Sequence, residues 1–104
     1  MDLVDRLHDR LRAAAPAPTG FTIGELYQRL IPYRSVRGEL GVWELAEYEH
    51  ALLRLLSGER DYLELEDPSA RAEIARELAS PNPILGVYRD YPAARVRLGA
   101  ASTG

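Results

Sequence analysis

The sequence contains no cysteine, and only two histidines occur among its 104 residues. Without cysteine the chain can form no disulfide, no thiolate zinc site and no cysteine nucleophile. His8 and His50 do not belong to an H-E-x-x-H motif or to another spacing that is typical of metal ligands. We therefore expect no metal and no other cofactor. The absence of a nucleophile-elbow or phosphate-loop pattern further predicts that the protein is not an enzyme.

Lysine and long apolar runs are also absent. All 13 basic residues are arginines, whose planar side chains bind carboxylates through two hydrogen bonds. The first residues, MDLVDRLHDRLR, alternate charged and apolar side chains, which is the pattern of neither a signal peptide nor a membrane span. A net charge of −3 argues against general binding to nucleic acid or to membrane surfaces. A cytoplasmic protein without a membrane partner is the expected class.

The chain has the length of one small domain, and 46% of its residues are hydrophobic. We expect a single globular domain over residues 1–98 and a disordered tail over residues 99–104, where small residues predominate. Apolar residues three and four positions apart predict amphipathic helices over residues 2–14, 23–30 and 42–57. An Asp67-Pro68 start signal predicts a fourth helix that runs to Ala79.

The second helix has the clearest local signals. Thr22 is followed three residues later by Glu25, which is the pattern of a capping box. This helix should end or kink at Ile31, because Pro32 disfavours helical geometry in the residue before it. The segment that follows is interpreted as an irregular corner between two helices.

The third helix is expected at the centre of the core. Its buried stripe should comprise Val42, Trp43, Leu45, Tyr48, Leu52, Leu53 and Leu56. Its exposed face should comprise Glu44, Glu47, Ala51 and Arg54. Gly58 follows as the residue that ends the helix in a left-handed conformation.

Two segments alternate strictly between apolar and polar residues, residues 62–66 and 94–98. Glu64 and Glu66 lie on one face of the first, and Arg95 and Arg97 lie on one face of the second. Opposite charges that face each other across an antiparallel pair favour this register. The predicted fold class is therefore α+β, mainly α. A three-helix core is joined by a two-stranded antiparallel ribbon whose strands bracket the fourth helix.

Tyrosine and arginine concentrate in two segments that are expected to be irregular, PYRSVR and VYRDYP. Interface hot spots favour both residue types. The candidate partner-binding residues are Tyr33, Arg34, Arg37, Tyr88, Arg89 and Tyr91. A structural role is the alternative for each, since tyrosines complete small cores and arginines pair with nearby acids. The leading hypothesis is a non-catalytic protein-protein interaction domain, a small subunit or adaptor that binds a protein partner, with homo-oligomers compatible with the sequence.

The predicted order of three helices followed by a β-ribbon is also that of a winged-helix domain, so a winged-helix-like nucleic-acid-binding regulator is the alternative. Its recognition helix would carry Glu44, Glu47 and Glu49, which phosphates would repel. Residues 1–37 hold six arginines against four acids, whereas residues 38–79 hold four arginines against eleven acids. Nucleic acid is therefore the less favoured partner. Contact with protein, with nucleic acid or only with solvent stays open for Arg34 and Arg37.

Overall fold

The computed structural model describes residues 2–102 of the chain. Its α-helices are α1 (Leu3–Ala13), α2 (Ile23–Glu25), α3 (Tyr33–Leu40), α4 (Leu45–Leu56) and α5 (Pro68–Ala79). Its strands are β1 (Phe21–Thr22), β2 (Leu63–Leu65) and β3 (Arg95–Leu98), and short 3₁₀ helices cover Glu59–Asp61, Leu85–Asp90 and Ala100–Ser102. Helix outweighs strand, so the predicted α+β, mainly α class is confirmed. The predicted fourth helix is observed as α5, with Asp67 as its N-cap.

The strands form one antiparallel sheet in the order β1-β3-β2. The predicted ribbon is confirmed, because β2 pairs with β3 and Glu64 lies directly opposite Arg97. The Arg97 guanidinium lies 2.9 Å from the Glu64 carboxylate and 3.5 Å from that of Glu66. Arg95 behaves differently, since it donates to the Thr19 carbonyl oxygen at 3.5 Å. Arg97 therefore pairs with both glutamates, whereas Arg95 contacts the loop before β1 and not a glutamate of β2.

The expectation of two strands was wrong, because β1 adds a third on the other edge of β3. This strand has only two residues, and it pairs Phe21 with Val96 and Thr22 with Arg95. A two-residue segment is too short to show the alternation that identifies a strand. Its partner lies more than 70 residues away in the sequence, so no local signal predicts the pairing.

The predicted capping box opens helix α2. The Glu25 backbone N–H donates to the Thr22 hydroxyl at 3.1 Å, and the Thr22 backbone N–H donates to the Glu25 carboxylate at 3.1 Å. The helix predicted over residues 23–30 does end before Pro32. Only its first three residues are α-helical (α2), and Leu26–Leu30 form a π-helix. The Ile31 N–H donates to the Leu26 carbonyl oxygen, five residues back, at 2.9 Å.

Thr22→Ala is expected to lower the free energy of unfolding by about 1 kcal/mol, because it removes the oxygen that caps α2. Thr19→Ala provides the control. Thr19 lies exposed in the preceding loop, and its side chain makes no hydrogen bond within residues 2–102. Urea denaturation of both variants and the parent protein measures the difference. Equal stability of the two variants would show that the cap contributes nothing.

Helix α4 packs against α1, α3, α5 and β2, which confirms its predicted place in the core. Two details of its predicted faces were wrong. Trp43 and Leu45 were expected in the buried stripe, yet 72% and 46% of their surfaces are exposed. Ala51 was expected to face solvent and is buried. The helix begins at Leu45 and not at residue 42, so Trp43 lies in an extended segment outside the helical phase.

Residues 33–40, interpreted from the sequence as an irregular corner, form helix α3. Only one side chain of this helix, that of Val36, is fully buried. Eight residues with one buried apolar position and an internal glycine do not produce a helical pattern that can be recognised. Gly41 ends the helix in the left-handed conformation, with φ of 66°.

The segment that was predicted to be a tail begins at Gly99. The Gly99 backbone N–H donates to the Tyr62 carbonyl oxygen at 2.8 Å, and the 3₁₀ turn Ala100–Ser102 packs against the 3₁₀ helix Glu59–Asp61. This part of the predicted tail is therefore attached to the domain. Thr103 and Gly104 lie outside the described residues, where disorder stays a prediction.

Candidate functional site

Helix α3 is anchored to α4 at its N-terminal end. The Tyr48 hydroxyl donates to the Ile31 carbonyl oxygen at 2.6 Å, just before α3 begins. The Tyr33 ring packs against the Tyr48 ring, with their centroids 5.3 Å apart. Because Val36 points into the core, Arg34, Arg37 and Gly38 lie on the exposed side of the helix. Two of the arginines that were predicted to bind a partner are thus presented on one rigid element.

These arginines differ from most others in the chain. Ionic partners lie within 4 Å of Arg10, Arg29, Arg54, Arg60, Arg76, Arg89 and Arg97. Neither Arg34 nor Arg37 has such a partner within residues 2–102. The Arg37 guanidinium carbon instead lies 6.0 Å from the centre of the Tyr33 ring. Both guanidinium groups are therefore available for an external carboxylate or phosphate.

Gly38 is exposed in the middle of α3, where glycine is less favourable than alanine by about 0.5–1 kcal/mol. A Cβ atom built on Gly38 would meet nothing within 4 Å. The packing of the described chain thus gives no reason for a glycine here. A bare helix backbone at an exposed position does allow another molecule to approach closely.

The turn after α3 carries the only tryptophan of the sequence. The Val42 N–H donates to the Arg37 carbonyl oxygen at 2.9 Å, so the turn folds back on the last residues of α3. Trp43 follows directly, and Leu45 begins α4. Exposed Glu44 and Glu47 lie beside them, and neither has an ionic partner in the described part of the chain. We call the exposed residues Arg34, Arg37, Gly38, Trp43, Glu44, Leu45 and Glu47 the α3–α4 surface.

A cleft lies next to this surface, at the N-terminal end of helix α3. It has a volume of about 500 Å³ and is lined by Tyr27, Gln28, Pro32, Tyr33, Arg34 and Ser35. Its walls come from the π-helix and from the first turn of α3. Two tyrosine rings and a guanidinium group make this lining suited to a planar side chain. We call this depression the tyrosine cleft.

Tyr88 and Arg89 of the second predicted segment have a structural role. Only 3% of the Tyr88 surface is exposed, and its hydroxyl donates to the Glu49 carboxylate at 2.7 Å. The Arg89 guanidinium lies 3.1 Å from the same carboxylate, which is itself 6% exposed. Burial, followed by the hydrogen bond to Glu49, raises the pKa of Tyr88. Tyr88 therefore cannot present its ring to a partner, and Glu49 is a buried acid that Arg89 neutralises and to which Tyr88 donates a hydrogen bond.

The six candidate residues consequently do not form one site. Tyr33, Arg34 and Arg37 share the α3 side of the molecule, and Tyr88 supports that side from within, since its ring meets that of Tyr27 edge-on at 5.1 Å. Tyr91 is half-buried near α5. Burial raises its pKa, and the Glu73 and Asp90 charges add to the effect. Trp43 was missed as a site residue, because its position next to an apolar stripe predicted burial.

Within residues 2–102, no three histidine, aspartate or glutamate side chains are grouped so that they could hold a metal ion. In the same range, every helix is too short or too polar to cross a membrane. No family model matches the chain, and neither a curated protein nor a solved structure is significantly similar to it.

Proposed function

We propose that this chain is a non-catalytic protein-interaction domain, a small subunit or adaptor that acts in the cytoplasm, and that it binds a protein through the α3–α4 surface. The observation that carries the proposal is the exposure of Trp43, with 72% of its surface in contact with solvent. Tryptophan and arginine are among the residue types most enriched in binding hot spots. Two arginines without ionic partners in the described part of the chain accompany it on the adjoining helix.

Gly38 is a second, independent observation in favour of partner binding at the α3–α4 surface. Keeping glycine at this position lowers the stability of α3, and nothing in the described chain compensates for it. A partner that contacts the α3 backbone would account for it. Gly38→Ala is therefore expected to stabilise the isolated domain and, at the same time, to weaken partner binding. A purely structural glycine would not produce these opposite effects.

Arg34→Ala combined with Arg37→Ala is expected to weaken binding by at least about fivefold, the equivalent of about 1 kcal/mol. The tagged chain is used to capture proteins from a lysate of its own host, and a captured partner is then purified and titrated by calorimetry. Arg12→Ala with Arg71→Ala is the matched control. It removes the same charge from exposed positions on α1 and α5. Equal affinities of the two double variants for the purified partner would contradict the proposal.

The alternative is a nucleic-acid-binding regulator of winged-helix-like order. The guanidinium groups of Arg34 and Arg37 also suit phosphates, which is the observation in its favour. Exposed Glu44 and Glu47 on the same surface oppose a polyanion, and Arg97 in the ribbon is already paired with Glu64. An electrophoretic mobility shift with duplex DNA at physiological salt separates the two functions. Retarded DNA that the Arg34/Arg37 double variant releases would favour the regulator.

A further inference from the structure

The α3–α4 surface and the adjoining tyrosine cleft carry groups that are complementary to each other. An exposed indole, that of Trp43, protrudes from it, and the tyrosine cleft lies at the other end of α3. Arg34 and Arg37 give the helix side a positive charge, whereas Glu44 and Glu47 give the start of α4 a negative charge. All four side chains are exposed and have no ionic partner within residues 2–102. A molecule that matches this surface must offer a cleft, an indole-like group and both signs of charge.

We infer that the partner of this surface is a second copy of this chain, so that the domain forms a symmetric dimer; this inference rests on the proposed function and names its partner. In a two-fold interface, each residue pair that crosses the boundary occurs twice. Trp43 of one protomer enters the tyrosine cleft of the other. Arg34 and Arg37 of one protomer face Glu44 and Glu47 of the other. A purely acidic or purely basic partner would satisfy one half of this surface and be repelled by the other.

The chemistry of the tyrosine cleft fits an indole. Its volume of about 500 Å³ lies within the range of pockets that hold compact organic groups. Tyr27 and Tyr33 can stack against an aromatic ring, and Arg34 can lie over its face. The Tyr27 ring is held in place by Tyr88 behind it, with a centroid distance of 5.1 Å. The wall of the cleft is thus positioned before a partner arrives, which reduces the entropy lost on binding.

The domain is large enough to form an interface of standard size. A stable interface of standard size buries about 800 Å² on each partner, whereas this chain has 5630 Å² of accessible surface in all. An interface of that size would take about one seventh of the molecule. Each protomer contributes one indole and four charges to this interface, which is a small set of hot-spot contacts, and we therefore expect a dissociation constant in the micromolar range.

Sedimentation velocity of the full chain, at concentrations across the micromolar range, tests the inference. We expect a reversible monomer–dimer equilibrium. Trp43→Ala should raise the dissociation constant at least about tenfold. Ile84→Ala is the matched control, because Ile84 is also a large apolar residue and 64% of its surface is exposed. A monomer at all concentrations, open-ended association, or equal effects of the two substitutions would overturn the dimer.

Charge exchange gives a second test that does not depend on Trp43. Arg34→Glu with Arg37→Glu, and separately Glu44→Arg with Glu47→Arg, should each abolish dimers, because like charges then face each other across the two-fold axis. An equimolar mixture of the two variants restores both charge pairs and should form heterodimers. Circular dichroism verifies that each variant is folded. A mixture that stays monomeric while the parent protein dimerises would contradict this arrangement of the protomers.

The two proposals fail in different ways. A parent chain that stays monomeric, yet retains a host protein through Arg34 and Arg37, would overturn the dimer and leave the interaction domain intact. A dimer that retains no host protein would restrict the surface to self-association and contradict an adaptor function.

Discussion

Tyr88→Ala is expected to lower the free energy of unfolding by about 3–5 kcal/mol, the range for removing a buried aromatic ring. The ring is almost fully buried and packs edge-on against Tyr27. Its removal would leave a cavity beside α4. It would also take the hydroxyl donor away from the Glu49 carboxylate, which accepts from it at 2.7 Å. A large loss of stability is the result that a core position predicts, and a partner-binding position would not produce it.

Tyr88→Phe separates the two contributions. The ring remains, and the loss of the hydroxyl should cost about 1–3 kcal/mol because the buried Glu49 carboxylate then loses one of its donors. Arg89 still reaches Glu49 at 3.1 Å, although its own side chain is half exposed. Urea denaturation of both variants gives the two values, with Tyr91→Phe as the control at a less buried tyrosine. Should Tyr88→Ala weaken partner binding and leave stability unchanged, the sequence-based role of Tyr88 as a contact residue would be correct.

The contrast between Tyr88 and Tyr33 shows where the sequence is informative about the site. Both tyrosines precede an arginine in a short segment near a proline, and the same composition argument selected both. Tyr33 is only partly buried and packs its ring against the buried Tyr48, whereas Tyr88 is buried and meets a glutamate 39 residues away in the sequence. Whether an aromatic residue is a contact or a core residue depends on such long-range partners. Composition cannot separate the two cases.

Local signals account for most of the fold that the sequence predicts. The capping box at Thr22 and the Asp67-Pro68 start of α5 depend on residues within one helical turn, and both are observed. The β2–β3 ribbon is a long-range feature that was also predicted correctly. Its two segments alternate strictly, and their charges match, so both the strands and their register could be inferred.

Trp43 was misassigned for a different reason. The apolar stripe of α4 extends to Val42 if the helix is assumed to start there, and Trp43 then falls near the core. In the structure the helix begins three residues later, at Leu45. Gly41 adopts the left-handed conformation, and Glu44, just before the helix, is still extended. Val42 is still buried, while Trp43 turns to solvent. Helix boundaries are the least certain part of a sequence-based assignment, and here the boundary decides which residue forms the site.

Gly99→Ala is expected to destabilise the domain by about 1–3 kcal/mol, the usual cost of inserting a methyl group where no space exists. A Cβ atom on Gly99 would overlap the Asp61 carbonyl oxygen and lie 2.8 Å from the Asp61 carbonyl carbon. These are backbone atoms, so no side-chain rotation can relieve the overlap.

The backbone around Gly99 cannot move aside easily. Arg60 and Asp61 already adopt left-handed conformations, with φ of 59° and 57°, which are costly for residues other than glycine. The Gly99 N–H also donates a hydrogen bond to the carbonyl oxygen of Tyr62, the residue after Asp61, at 2.8 Å. Displacing either segment would therefore disturb the end of β3 and the start of β2 together.

Gly38→Ala is the matched control for Gly99→Ala, since both substitutions add one methyl group to a glycine. The methyl group added at Gly38 would meet no atom within 4 Å, so this variant should gain about 0.5–1 kcal/mol from better helix propensity. Urea denaturation midpoints of the two variants should thus shift in opposite directions from that of the parent protein. The sequence alone predicts otherwise, because it assigns Gly99 to a disordered tail, where an added methyl group costs nothing. If Gly99→Ala leaves the midpoint unchanged, residues 99–102 are not packed against the segment Arg60–Tyr62, and the sequence-based boundary of the domain at residue 98 is correct.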